Sequence, residues 1–131
     1  MIIVMDDALL VRFADEVRDR VGSNAEGTIW ALFLDQRHRS LLGMRVEDGM
    51  AGVCRERLQS LAYFLGNVGA HAVVIGVPRS GGQPTSDDRE FWRRLRVLMV
   101  CEPTEFLDVL VVGADSFWSA EREDRERGAV A

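Results

Sequence analysis

"VVIGVPRSGGQPTSDD", Val73 to Asp88, carries the decision about the fold. It opens on apolar, mostly β-branched residues, crosses a loop with two adjacent glycines, and ends on a threonine and two aspartates. A nearly all-apolar strand suits a sheet covered on both faces. A strand, a glycine-bearing loop and a helix start in that order form the junction where α/β proteins often place catalytic loops. The pattern predicts a strand over 71–77 and a helix over 87–100. Phe91, Leu95, Leu98 and Met99 point inward on that helix, and Arg93, Arg94 and Arg96 point outward. The loop itself holds little reactive chemistry: Arg79, a few hydroxyls, Asp87 and Asp88.

Working outward, apolar residues at 9, 10, 13, 17 and 21 predict a helix over 7–21, broken by "GSNAEG" at 22–27. "TIWALFLD" (28–35), the turn "QRHR" and "SLLGMRV" (40–46) predict a hairpin. Apolar positions 54, 58, 61, 62 and 65 predict a helix ending near Gly66-Asn67. "EFLDVLVVG" (105–113) and "SFWSA" (116–120) read as two further strands. The tail "EREDRERGAVA" reads as solvated helix or disorder. The order α-β-β-α-β-α-β-β predicts a single-domain α/β (α+β) fold, a mixed sheet flanked by helices. An N-terminal helix at 1–24 packs on a core domain at 25–120, and a charged tail follows at 121–131.

Composition narrows the function. The 131 residues, 47% of them apolar, are enough for one domain with a real core. All 16 basic residues are arginine, which removes Schiff-base lysine chemistry and a Walker-type phosphate loop. The net charge of −5 argues against nucleic-acid binding, whose non-specific affinity comes from neutralised phosphates. No apolar run approaches the roughly 20 residues needed to span a bilayer. The opening "MIIVMDD" has no basic n-region of a signal peptide. A cytoplasmic location without membrane contact is expected. Cys54 and Cys101 have no metal-type spacing and are expected to be ordinary buried thiols.

From residue 26 to 122, about three-quarters of the chain, the order of blocks resembles the bacterial RadC-like branch of the JAB/MPN (JAMM) metallohydrolases. "LFLDQRHRSLL" is similar to that branch's first hairpin, "CRERLQSLAYFL" to the next helix, and "LDVLVVGADSFWSAER" to its last pair of strands. The resemblance implies the JAB/MPN (cytidine-deaminase-like) fold. It also implies an active-site signature of a strand glutamate, His-x-His, a proline, a serine and an aspartate. Laid on this chain without gaps, Pro78 takes the proline position, Thr85 the serine and Asp88 the aspartate. Ile75 and Val77 take the histidine positions, and Gly27 the glutamate position, with Glu26 one residue away.

That substitution removes the chemistry. Residues 75 and 77 lie two apart on a strand and point to one face, the geometry by which His-x-His offers two nitrogens to one ion. Isoleucine and valine have no lone pair, so two of three protein ligands of a catalytic zinc are missing. A one-residue shift also turns Glu26 to the opposite strand face. His71 and His38 are expected at the surface or in a second layer.

Thr85 and Asp88 have a second reading, as a Thr-x-x-Asp cap on the following helix. "PRSGGQP" reads either as an anion cradle using Arg79 or as a flexible connection exploiting glycine. Trp30, Trp92 and Trp118 are expected in the core or at an interface. The expected function is a catalytically inactive protein-interaction or scaffold module, with a protein partner or homodimer and no cofactor. The alternative is a divergent metal-dependent peptidase or isopeptidase with another ligand set. A role around DNA, implied only by the traditional label of the branch, runs against the acidic charge.

Overall fold

The computed structural model describes residues 7–21, 28–47 and 55–130. Helix α1 (Asp7–Val21) is followed by strands β1 (Ile29–Leu34) and β2 (Ser40–Glu47), helix α2 (Arg55–Gly66) and strand β3 (Ala72–Pro78). Helix α3 (Ser86–Met99), strands β4 (Glu105–Val112) and β5 (Phe117–Ser119), and helix α4 (Ala120–Val130) complete the chain. The strands form one five-stranded mixed sheet in the order β2-β1-β3-β4-β5. Only β3 and β4 run parallel, and α3 is the crossover between them. This is the single-domain α/β architecture expected from the pattern.

Every residue of β3 is buried, because the central strand is covered by a different helix layer on each face. On one face Val73, Ile75 and Val77 meet Leu58, Ala62 and Leu65 of α2 and Phe91, Trp92, Leu95 and Met99 of α3. On the other, Ala72 and Val74 join the α1 stripe of Leu9, Leu10, Phe13, Ala14 and Val17. The side-chain period of two sends alternate residues of one apolar strand into two separate cores. Gly76 lets α1 come close: a Cβ there would stand 3.2 Å from both Phe13 and Val17.

The β1–β2 hairpin turns on Asp35, whose Oδ1 accepts from the backbone N–H groups of Arg37 and Arg39, each at 2.9 Å. The turn places His38 in the left-handed region at φ 58, a conformation histidine tolerates better than most residues. At the far edge of the sheet, α1 grips the β4–β5 turn. Arg18 donates from Nε to the Gly113 carbonyl at 2.6 Å and from Nη2 to the Ser116 carbonyl at 2.9 Å.

Two sequence expectations are met with added contacts, and one needs correction. The tail read as solvated helix or disorder is helix α4, exposed over residues 124–128, with Glu123 and Asp124 pairing to α3. Arg96 faces outward as expected, 58% exposed, and there pairs with Asp124 at 3.0 Å. Cys101 is exposed and not buried, because it follows the end of α3 in the turn to β4. Cys54 lies outside the described residues. No helix among the described residues is long and apolar enough to cross a membrane.

Candidate functional site

The junction from β3 to α3 sits at the carboxyl ends of the two parallel strands, where open α/β sheets form their ligand crevice. Here a backbone hydrogen bond ties the loop to β4. Arg79 N–H continues the ladder by donating to the Val112 carbonyl at 2.9 Å, and Gly82 N–H donates back to the Arg79 carbonyl at 3.0 Å. Gly82 has φ +67, which favours glycine. Its Cα lies so near Gly113 that a Cβ on Gly113 would stand 2.5 Å from it. The connection thus uses glycine for an unusual backbone angle, as expected, and lies close against the β4–β5 turn.

Thr85 caps α3. Its Oγ1 accepts from the Asp88 backbone N–H at 3.1 Å, while the Asp88 carboxylate accepts from the Thr85 N–H at 2.9 Å. This reciprocal capping box satisfies two otherwise orphan donors at the helix start. Asp88 belongs to the buried stripe of α3, with Phe91, Trp92, Leu95 and Met99, and its side chain is 0% exposed. A buried carboxylate needs a partner charge, and Arg79 provides it. Arg79 Nη2 donates to Asp88 Oδ1 at 2.7 Å and its Nε to Oδ2 at 3.2 Å. Both carboxylate oxygens are thus engaged, and the Arg79 side chain is itself only 20% exposed.

Ile75 and Val77 are both fully buried and lie on the sheet face that α3 covers. They share that layer with α3, whose first turn carries Asp88. Glu26 and Gly27 lie outside the described residues. These residues do not fit a zinc ion. The two aliphatic side chains offer no lone pair, and the one carboxylate is neutralised by an arginine whose charge would repel a cation. Among the described residues, no three His, Cys, Asp or Glu side chains are grouped so as to hold a metal ion.

The two histidines do come together, with ring centroids 6.2 Å apart. They meet at the opposite end of β3, which rises about 20 Å between Ala72 and Pro78 at strand spacing. His71 is exposed, while His38 is half-buried and its Nε2 is buried without a hydrogen-bond partner. Neither is near enough to Asp88 to complete a ligand set with it.

Sequence reasoning missed a second buried acid. Asp108 on β4 is 3% exposed and accepts hydrogen bonds from the Ser119 hydroxyl and, at 2.9 Å, from the Glu121 backbone N–H. Desolvation pushes its pKa up to about 6 against the opposing pull of these donors. Ser119 Oγ in turn accepts from the Arg122 N–H at 3.2 Å, so the pair anchors the start of α4. The available signal was a lone acid inside the apolar run of β4.

A polar seam joins α3 to α4. Arg89 forms a forked pair with Glu123 at 3.0 and 3.2 Å, and Trp118 Nε1 donates to the same carboxylate at 2.6 Å. The Arg89 hydrogen bond lowers the Glu123 pKa, and Glu123 raises that of Arg89. Trp92 Nε1 donates to Asp124 at 2.7 Å. Trp92 and Trp118 thus lie at a helix interface as expected, while Trp30 is half-buried and donates to Thr28 Oγ1 at 2.9 Å.

Set against models of known families and against curated proteins, the chain matches none.

Proposed function

We propose that this chain is a catalytically inactive RadC-like JAB/MPN domain that acts as a protein-interaction or scaffold module. One observation carries the reading. At the position where the family would place a metal-ligand aspartate, the buried Asp88 is neutralised by Arg79 and committed to a helix cap. The observed order, α-β-β-α-β-α-β-β followed by α4, and the placement of Ile75 and Val77 on the α3 face support the same register. An arginine cannot lower the pKa of a bound water as zinc does, nor coordinate a substrate carbonyl as a Lewis acid. A fold whose Asp88 is committed to an internal ion pair and a helix cap retains its surfaces, and binding is the role they can serve.

The register has a direct test. In the variant Ile75→His/Val77→His, zinc titration of the folded protein should show little affinity while Arg79 holds Asp88. Adding Arg79→Ala should free the carboxylate and raise zinc affinity at least tenfold, about the effect of altering a ligand's supporting contacts. Zinc affinity that is indifferent to both Arg79→Ala and Asp88→Asn would mean that positions 75, 77 and 88 never formed one site. A companion assay with peptide and isopeptide substrates in added zinc should give no turnover with the parent protein. Turnover abolished by Asp88→Asn would overturn the inactive reading.

A further inference from the structure

Helix α4 has no apolar stripe. From Ala120 to Gly128 only Ala120 is buried, residues 121–123 are half-buried and residues 124–128 are exposed. A helix this polar is not held by a hydrophobic face of its own. It is held at one end by the Asp108–Ser119 anchor and along its side by the polar seam.

The α3 and β5 side of that seam consists of two adjacent carboxylate receptors, each made of one guanidinium and one indole N–H. Arg89 and Trp118 receive Glu123. Arg96, at 3.0 Å, and Trp92 receive Asp124. The cations also lie over the rings, Arg89 at 5.6 Å from the Trp118 centroid and Arg96 at 5.3 Å from that of Trp92. Each receptor is thus built into aromatic surface supplied by α3 and β5. The α4 side is weaker. The Arg96–Asp124 pair is 58% and 42% exposed, and the Arg89–Glu123 pair 37% and 20%. Ion pairs this wet add little to stability. Beyond its anchor, α4 is held only by these polar contacts, the kind of attachment that local opening breaks first.

We propose that the face formed by Arg89, Trp92, Arg96 and Trp118 is a docking site for an acidic helical segment of a partner protein, with two adjacent carboxylates, and that α4 is its competitor within the same chain. Charge complementarity carries the choice of partner. The chain is acidic overall, at −5, yet this face presents two guanidinium groups and two indole donors to an anion. The sequence that fits it is visible in α4. The proposal is independent of Ile75, Val77 and Asp88, so it stands or falls apart from the inactive-domain reading.

The probe is a fluorescently labelled peptide of residues 120–131, titrated by anisotropy at low salt into the whole chain and into Glu123→Gln/Asp124→Asn. Intramolecular α4 should make parental binding weak. The variant should bind about tenfold more tightly if α4 is docked in all but about a tenth of parental molecules. Adding Arg89→Ala to the variant should abolish the gain. Amide hydrogen exchange supplies the control: β3 and β4 should stay protected in the variant while α4 beyond Arg122 exchanges faster. If the double variant does not fold, Asp124→Asn alone, at an exposed position, serves in its place with a smaller gain of the same sign. Unchanged α4 protection would overturn the proposal. So would an absence of peptide binding to the loosened variant, or binding indifferent to Arg89→Ala.

Discussion

Arg79→Ala is the sharpest perturbation of the junction. The substitution removes two charge-assisted hydrogen bonds from Asp88, at 2.7 and 3.2 Å, and leaves the carboxylate with the Thr85 N–H at 2.9 Å. Breaking a buried ion pair by deleting one partner costs about 3–5 kcal/mol, because the remaining charge is uncompensated. Arg79 is 20% exposed, so some water reaches the gap and the lower end applies. We expect a loss of about 3 kcal/mol at neutral pH, read as a lower midpoint in urea unfolding with an unchanged slope. Asp88→Asn alone should also destabilise, since it leaves the guanidinium half-buried without its anion. The double variant should be less damaged than the sum of the two by about 1–3 kcal/mol, the range for residues in direct contact. A loss below about 1 kcal/mol for Arg79→Ala, or strict additivity in the cycle, would refute the claim that Arg79 neutralises Asp88.

Further tests address the neighbouring elements. Asp108, with a folded pKa of about 6 above its ordinary 3.8, adds stability below pH 3.8 that is lost as pH rises through 6. Asp108→Asn removes this dependence, so urea unfolding should show the variant gaining on the parent by up to about 3 kcal/mol between pH 4 and pH 7; parallel pH curves would refute it. Thr85→Ala should cost about 0.5–2 kcal/mol through loss of the cap, measured by the same unfolding. Gly113→Ala should cost about 1–3 kcal/mol, because the new methyl would meet the Gly82 Cα at 2.5 Å. A neutral substitution there would mean that the loop yields freely.

What the sequence showed and what it hid follow a physical division. Elements with an apolar period were legible to within a residue or two: β3 as an unbroken apolar strand, α1 from positions 9, 10, 13 and 17, and α3 from Phe91, Leu95 and Met99. The Thr85–Asp88 cap was legible too, since it is a local pattern four residues long. Contacts set by tertiary approach were not. Arg79 and Asp88 are nine residues apart, and their pairing depends on a loop shape fixed by Gly82 against Gly113, a contact with a distant turn. The docking of α4 was invisible for a related reason. Its partners Arg89, Trp92 and Arg96 lie about thirty residues upstream, and its own sequence has no apolar period to announce a buried face.

The zinc content of the purified chain, measured by elemental analysis beside Asp88→Asn, tests the central claim most directly. With Arg79 holding Asp88 and aliphatic side chains at 75 and 77, both proteins should carry the same trace amount, far below one ion per chain. About one tightly bound zinc per chain in the parent, lost on Asp88→Asn, would contradict it.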